Sequence, residues 1–592
     1  MAPRAQWIVS PPDLAAADPL GAALGLSSVT AQLLLQRGVD TVAKAKAFLQ
    51  PRLQQLRRPD GELAMAGFAT AVALLEAALV ERQTIGIFGD YDVDGVTSCA
   101  LLTQFLRDAG GVVVPRVAER SLGYGFGPEE AKAFAATGCT LVVTCDCGTS
   151  DHVGLAEAAA QNLKIIIVDH HQVPDRQPEA AALINPHQAD CLFPYKGLAS
   201  VGVAFYLAAA LRTRLKARAW PSLPDPRQLL DLVALGTVCD MAPLTDENRI
   251  LVSAGLTALR ERPRPGVAAL CEISRLPDGV RRTADLGMRL GPRLNAPGRL
   301  GSAALALELL LAPDAATATA LAAQCEEANK KRRGVQDKVF AEALPQAEAA
   351  VRAGASMLVV WGVGWHPGVV GIVAAKLVDR FARPAAVIAV DGDTGRGSLR
   401  SVRGFHLHRA LTQVEALLVR FGGHAAAAGL TVERQHLETL AKRLDEVARN
   451  ELGQGPPPRE VRVNAVVRLE DLDERLADEL AQLEPFGIGN PEPLLGLESV
   501  TLSRRRVVGE GEQHVQVSFD RDGQVRHGIG FQMAEGAPAL GTLVRATFLP
   551  ELDTWNGQRR LQLRLRDLEP HHASDPDRRP ATVADEAPAP LV

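Results

Sequence analysis

Three aspartates stand two residues apart in "FGDYDVDGVTS": Asp90, Asp92 and Asp94. A further acid, Asp146, lies in "VVTCDCGTSDH", and "IIIVDHHQV" runs into Asp169, His170 and His171. Carboxylates this close repel one another and raise each other's pKa until a cation neutralises them. Carboxylate with neutral imidazole suits a hard or borderline divalent ion such as Mn2+ or Mg2+ better than a thiolate-loving one. Two such ions about 3.5–4 Å apart would clamp the attacking and leaving oxygens of an in-line displacement at phosphorus. The competing readings are a calcium loop, which "DxDxDG" also fits, and a packed strand-end histidine. Acids and imidazoles recurring after several strands favour the metal.

These residues need a scaffold that brings them together. Apolar runs near 84, 111, 140 and 164 ("TIGIF", "GVVVP", "TLVVT", "KIIIV") alternate with Ala-rich helical segments. That pattern predicts a parallel sheet covered on both faces, and ligands of such sheets gather beyond the carboxyl ends of the strands. Residues two apart in an extended segment share a face, so the three aspartates are expected to converge, with Gly95 turning the chain into the next helix. Cys145 and Cys147 would point away from Asp146 and pack.

A second βα block begins near 356 with "SMLVVW" and "AAVIAV". A helix opened by Asp314 as N-cap precedes it, and its charged middle, "EEANKKRRGVQDK", suits an exposed connector. After the linker "GQGPPPRE", short β-type runs with turn signals suggest a barrel of the oligonucleotide-binding kind. The expected division is a helical segment 1–80, an α/β domain 81–313, a connecting helix 314–350, a smaller α/β domain 351–453, a barrel 454–570 and a disordered tail 571–592.

The net charge of −5 argues against a general basic coat for nucleic acid but permits a local basic channel. Eight cysteines without a CxxC pair indicate free thiols in a reducing cytoplasm. The chain has no run of about 18 apolar residues and no secretory signal, so no membrane association is expected. Aromatic residues make up 4%, which does not advertise extensive base stacking.

Anion-binding candidates lie elsewhere in the chain. "RGSLRSVRG" places Ser398, Arg400 and Ser401 on or beside a strand, among glycines that expose backbone N–H groups. "FGGH" offers Gly422, Gly423 and His424 ahead of an Ala-rich segment, read as a helix whose N-terminus would favour an anion. Arg116, Arg120, Arg293, Asn295 and Arg299 are candidates for a strand path, with Tyr124 and Phe126 as local stackers. Surface salt bridging is the competing reading for the arginines, and an ordinary turn for the Gly-Gly pair. The barrel adds Arg504, Arg505, Arg506 and His514, with Trp555 and Arg559 near a hairpin, a set compatible with single-strand binding.

These segments together resemble the DHH phosphoesterase superfamily. Their order and spacing are similar to those of the RecJ single-strand DNA exonucleases, through "GDYDVDG", "DCG", "VDHH", "ALGTVCDMAPLTDENR", "GPRLNAPGRL", "WHPGVVGIVAAKL", "GSLRS", "FGGHAAAAG" and "LEPFGIGNPEP". The resemblance spans about residues 30–570. It implies a parallel-sheet DHH domain, a smaller DHHA1 domain and an OB-like barrel. It further implies two divalent ions, Mn2+ or Mg2+, on Asp92, Asp94, Asp146, His170 and Asp240. Asp90, Asp169 and His171 become supporting catalytic residues, and Ser398, Arg400, Ser401, Gly423 and His424 phosphate-binding ones. The implied activity is 5′ to 3′ hydrolysis of single-stranded DNA to mononucleotides in repair and recombination, in the bacterial cytoplasm at the nucleoid. A single-strand-binding protein and a RecQ-type helicase are the implied partners. Competing readings are a DHH hydrolase of short oligoribonucleotides, cyclic dinucleotides or pyrophosphate, and a non-catalytic replication scaffold.

Overall fold

Runs of Ile and Val without polar alternation belong in strands buried on both faces. The computed structural model describes residues 6–59, 61, 64–120, 125–261, 263–453, 460–555, 558–571 and 578–580. Contacts divide the chain into two units, one from 1–51, 457–486 and 490–589, the other built on 52–456 with 487–489.

In the larger unit, five parallel strands lie in the order Val112–Val117, Thr84–Gly89, Cys139–Cys145, Lys164–Val168, Ala182–Ile184. The winding direction reverses between Thr84–Gly89 and Cys139–Cys145, which opens a crevice at their carboxyl ends. The last strand, three residues long, has no clear signature in the sequence. Strand alternation sends Ile85, Ile87, Val143, Ile166 and Val168 to one face, under helices Val93–Asp108, Ser200–Ala217 and Leu230–Cys239. Phe88, Val142, Ile165 and Ile167 take the other, with Phe126 and Phe134.

Asp314 caps the next helix by accepting from the Thr317 amide at 2.8 Å, and Ala315–Arg352 then runs for 38 residues. Its buried stripe changes character along its length. Ala318, Ala322 and Cys325 join the core of the first sheet, while Val339, Ala343 and Ala347 join that of the second. Between them the stripe is polar: Asn329, Arg332 and Gln336 are buried, so the charged middle is not wholly exposed as its composition suggested. Helical periodicity turns every third or fourth residue inward whatever its charge.

The second sheet is mixed, ordered Leu418–Gly423, Ala427–Glu433, Thr394–Arg400, Ala385–Asp391, Leu358–Val363, and only its last pair is parallel. The Ala-rich segment after "FGGH", expected as a helix, is the strand Ala427–Glu433. It forms a hairpin with Leu418–Gly423, closed by the His424 amide donating to the Ala427 carbonyl at 2.8 Å. Pairing on both edges, with Thr394–Arg400 on the far side, overrides the helix propensity of alanine.

The smaller unit contains a closed barrel of Leu495–Val508, His514–Arg521, Gln524–Gly530, Gln558–Pro570 and Leu543–Trp555, sealed by pairing of the last with the first. Residues 1–51 share its core rather than forming a separate helical segment with 52–80. Ala17, Leu33, Leu34 and Ala45 pack with Leu480, Leu497 and Phe548, and Glu479 accepts from Ser27 and Thr30 hydroxyls at 2.6 and 2.8 Å. Gln6–Val9 is a strand between Glu460–Val463 and Arg578–Pro580, so part of the expected tail is paired. The rest of that tail beyond His571, like the linker residues 454–459, lies outside the described residues. Among the described residues no single helix is long and apolar enough to cross a membrane.

Candidate metal centre and anion-binding cleft

The three aspartates converge by a different route from the one strand alternation suggested. The strand stops at Gly89, and Asp92 already caps the helix Val93–Asp108, accepting from the Asp94 and Gly95 amides at 2.9 and 3.2 Å. Asp94 sits in the first helical turn. Gly95 is needed for close approach rather than for a turn, since a Cβ there would lie 2.4 Å from the Asp90 nitrogen. Asp94 in turn accepts from the Ser200 and Val201 amides, at 2.7 and 3.0 Å, at the N-terminus of Ser200–Ala217. That helix end favours a carboxylate through its exposed N–H groups and dipole.

Asp146 follows the third strand with φ +64°, a left-handed conformation that costs energy in a non-glycine residue. Its amide bonds the Val168 carbonyl at 2.9 Å, and the Ser200 hydroxyl donates to its carboxylate at 3.2 Å. Asp151 fixes the loop behind it, accepting from the Phe126 and Gly148 amides at 2.7 and 3.0 Å. Cys145 and Cys147 are buried, as packing residues should be. Asp240 is the C-cap of Leu230–Cys239.

The fourth strand ends in Asp169, which accepts from the His170 amide at 2.8 Å and lies 2.8 Å from His171 Nδ1. Burial acts to raise its pKa, but the hydrogen bond and charge of His171 outweigh it and hold the carboxyl well below the usual range. For His171, burial opposes protonation, yet the bond to Asp169 and the surrounding acids raise it to about 9. Burial, then the charge of His171, pushes His170 down to about 4, which leaves a neutral imidazole.

Three overlapping trios gather potential ligand atoms within 4.8 Å of one another: Asp90, Asp92 and Asp146; Asp94, His170 and Asp240; Asp146, His170 and His171. His170 Nε2 lies 3.2 Å from Asp146, 3.8 Å from Asp240 and 3.9 Å from Asp94 without a directed hydrogen bond. Asp90 Oδ1 is buried and accepts nothing among the described residues. Burial, then Asp92, lifts Asp90 to about 8 and Asp94 to about 7. Asp146 and Asp240 are raised well above the carboxylate range, by burial and then by neighbouring aspartates. Crowded oxygens, one unprotonated imidazole nitrogen and orphaned buried acceptors form a donor set that fits hard divalent cations.

Beside these acids stands a group of guanidiniums. Arg120 lies 3.9 Å over the Tyr91 ring and donates to the Gly298 carbonyl at 3.2 Å. Asn295 and Arg299 line a cavity of about 210 Å³ together with Arg332 of the long helix. Arg299 donates to the Gly368 carbonyl at 3.3 Å, and burial followed by repulsion from Arg120 and Arg332 lowers its pKa to about 10. Across the second sheet Arg400 bonds the Ser398 hydroxyl at 3.1 Å. A Cβ on Gly371, at the start of Val370–Phe381, would meet both side chains, so they face that helix N-terminus. Gly423 has φ +131°, and His424 is exposed beside it.

Two candidates are engaged elsewhere. Arg293 forms an ion pair with Glu326 at 2.6 Å, and the Ser401 hydroxyl, 3% exposed, donates to the Phe405 carbonyl at 2.7 Å. Ser401 follows the strand's last residue, so its side chain turns toward the domain interior. Arg116 is exposed, 5.9 Å from the Phe134 ring; Phe126 is buried and packs against Phe88; Tyr124 lies outside the described residues. In the smaller unit Arg504, Arg505 and Arg506 are exposed along one strand, His514 packs on the exposed Phe531, and Arg559 pairs with Asp478. The Trp555 side chain lies outside the description.

Three family models match: "DHH family, N-terminal domain" over 84–237, "DHHA1 domain" over 354–450 and "RecJ OB domain" over 463–567. The single-stranded-DNA-specific exonuclease RecJ of Salmonella typhimurium is 36% identical over 573 residues, which cover 91% of this chain and 99% of that protein. The chain belongs to the RecJ family. The Bacillus subtilis protein of the same name is 34% identical, over 96% of this chain and 71% of its own length. The crystal structure of RecJ in complex with Mn2+ from Thermus thermophilus superposes with a TM-score of 0.83 at 32% identity, covering 97% of this chain and 81% of that one. The Mg2+ complex of RecJ from the same organism gives 0.77 at 31%, covering 96% and 79%.

The sequence reading missed several residues that shape this RecJ-family site. Ser200, Thr149 and Asn185 hold the acid loops, with Asn185 donating to the His171 carbonyl at 2.8 Å and the Thr149 amide to Asp169 at 3.3 Å. Nothing local marks them. Arg332 was visible only as part of a charged run, although its spacing from Cys325 and Val339 places it on the buried helical stripe.

Proposed function

We propose that this chain is a divalent-metal-dependent exonuclease that degrades single-stranded DNA from its 5′ end to mononucleotides, in repair and recombination. One observation carries the reading: a buried carboxylate–imidazole set at strand ends stands beside guanidiniums that, among the described residues, have no carboxylate within ion-pair distance. Asp92, Asp94, Asp146, His170 and Asp240 would hold two Mn2+ or Mg2+ ions, which when bound supply charge to the phosphodiester and acidify water.

The remaining residues act on the strand and on protons. Asp169 takes the Nδ1 proton of His171 in a hydrogen bond, which fixes the ring and leaves Nε2 as its working atom. Protonated at neutral pH, His171 holds a phosphate oxygen or delivers a proton to the departing one. Asp90, beside both Asp92 and Arg120, supports the ligand carboxylates. Arg400, Ser398, Gly423 and His424 bind the terminal phosphate region. Arg120, Arg299, Asn295, Arg116 and Tyr124 line the path of the strand. Arg293 and Ser401 are left out because their polar groups are engaged within the protein. The barrel, through Arg504–Arg506 and His514, holds DNA further along.

The same reading assigns 81–313 to the catalytic domain, 314–350 to the connector, 351–453 to phosphate binding and 454–570 to strand binding. It places the enzyme in the bacterial cytoplasm at the nucleoid, working with a single-strand-binding protein and a RecQ-type helicase.

The test is to incubate 5′- and 3′-labelled single strands, duplex, short RNA and pyrophosphate with Mn2+ or Mg2+, beside His170→Ala. Release of the 5′ label first, from single-stranded DNA alone, and loss of activity in the variant are expected. Preference for pyrophosphate or short RNA, or an active variant, overturns the proposal.

A further inference from the structure

His366, in "WHPGVVG", stands in the turn between the strand Leu358–Val363 and the helix Val370–Phe381. Its carbonyl accepts from the Val369 amide at 3.1 Å, and its Nδ1 accepts from the Gly368 amide at 3.0 Å. A ring nitrogen that accepts carries no proton, so the neutral ring holds its proton on Nε2. The ring is half-buried, and Nε2 makes no hydrogen bond among the described residues without being enclosed. The turn therefore uses one nitrogen and leaves the other as a fixed, accessible N–H donor.

The surroundings of that donor are positive. The charges that act on the ring are those of Arg120 and of the exposed Lys331 on the long helix; after burial, they hold its pKa below the usual range. The backbone of the turn docks on the guanidinium group. Arg299 donates to the Gly368 carbonyl at 3.3 Å, and a Cβ on Gly368 would lie 2.3 Å from the Arg299 carbonyl oxygen. Arg120 donates to the carbonyl of Gly298, the residue before Arg299, at 3.2 Å. Further along, Gly371 abuts the Ser398 and Arg400 side chains. One short segment thus joins Arg120 and Arg299 to Ser398 and Arg400. Among the described residues His366, Lys331, Arg120 and Arg299 have no carboxylate within ion-pair distance. A directed N–H among unpaired cations suits a phosphate oxygen.

We propose that His366 is a further strand-binding residue, whose Nε2–H donates to a backbone phosphate flanked by Arg120 and Lys331. The inference rests on the exonuclease reading and deepens it. A lysine or arginine here would add another charge to a group that already repels itself, whereas a neutral imidazole adds direction without charge. The Gly368 bond fixes the ring before the strand arrives, so little ordering is left to the binding step. None of the metal-site acids acts on His366, so strand affinity rather than the chemical step depends on it.

The test compares His366→Asn, His366→Ala and Lys331→Ala with wild type in the full chain. Asparagine keeps an oxygen for the Gly368 amide, as in an Asx-turn, and loses the distal donor. Binding of a short 3′-labelled single strand is read by fluorescence anisotropy on a His171→Ala background, where turnover is slow; kcat and KM are read without that change. His366→Asn should weaken binding and raise KM about tenfold, the value of one hydrogen bond to a charged group, with kcat and melting temperature unchanged. Strands carrying a single methylphosphonate, moved one linkage at a time from the 5′ end, locate the contact. At one position the uncharged linkage and His366→Asn together should cost no more than either alone. Lys331→Ala should flatten the slope of log Kd against log salt by about 0.7, one phosphate contact on a single strand, and His366→Asn should leave it unmoved, since a neutral donor displaces no counterion. Wild-type binding in His366→Asn with a loss only in His366→Ala would mean a turn cap and overturns the proposal. Additive effects at every linkage, a flattened slope in His366→Asn or an unmoved one in Lys331→Ala overturn it too. If binding depends on His366 but no strand is degraded, the contact stands and the exonuclease reading falls; degradation indifferent to His366→Asn sinks only the contact.

Discussion

The acid group at the ends of the first sheet and the guanidinium group between the two sheets store opposite charge in opposite ways. Among the described residues, Asp90, Asp94 and Asp240 pair with no lysine or arginine, and their carboxyls are pushed upward by burial and by one another. Among the same residues, Arg299, Arg332 and Arg400 pair with no carboxylate, and burial drives them downward. The two groups feel each other's charge, Arg120 acting on Asp90 and Asp92 on Arg299, but form no direct ion pair among the described residues. They are instead held by separate scaffolds, helix termini and strand ends for the acids, carbonyls and a helical stripe for the arginines. Uncompensated buried charge destabilises a fold, so each group is stabilised when its own ligand arrives. The acids should therefore control turnover and the arginines affinity.

The strongest test of that division removes an acid. Asp146→Asn and His170→Ala should lower kcat by at least ~10³-fold, the scale of a lost transition-state charge stabiliser, and abolish Mn2+ binding measured by calorimetry. In chelator, Asp146→Asn should melt no lower than wild type, because it relieves repulsion. A lower melting temperature would mean the acid is structural. Next, His171→Ala should reduce kcat by ~10²–10⁴-fold, as expected for a proton-handling group, while Mn2+ affinity changes much less. Equal losses in both would place His171 among the ligands.

On the other side of the comparison, Arg400→Ala and Arg299→Ala should raise KM for single-stranded DNA by ~10–100-fold, the value of a charge-assisted contact, with kcat moving less. A fall in kcat alone would erase the distinction between the two groups. The smallest effects are expected at the two candidates engaged elsewhere. Arg293→Ala and Ser401→Ala should leave kcat and KM within about twofold, while Ser401→Ala lowers stability in urea by ~1 kcal/mol for its buried hydrogen bond.

Much of the catalytic half was legible because its signals are local. Apolar runs such as "KIIIV" have one stable destination, and acids that follow them fall at the carboxyl edge of a parallel sheet. Asp314 as a helix cap is equally local and holds in the structure. The geometry inside the loops was not legible. Asp92 and Asp94 belong to a helix start rather than to an extended segment, since backbone amides there offer them hydrogen bonds that a strand would not. The alanines after His424 became a strand because two neighbouring strands supplied partners, which no local propensity can report. Residues 1–51 joined the barrel because their apolar faces are covered by segments more than 400 positions away.

What the chain by itself determined is the inventory: buried strands, the acids and imidazoles that end them, a family signature read across nearly its whole length, and glycines where backbones must touch. Only the tertiary structure decided which charges remain unbalanced. It engaged Arg293 with Glu326 and Ser401 with a carbonyl, and left Arg299 and Arg332 without a carboxylate at ion-pair distance among the described residues. The physical reason is that burial and partner geometry are properties of packing between distant segments. A residue type carries the potential for a charge or a hydrogen bond; its surroundings decide whether that potential is already satisfied.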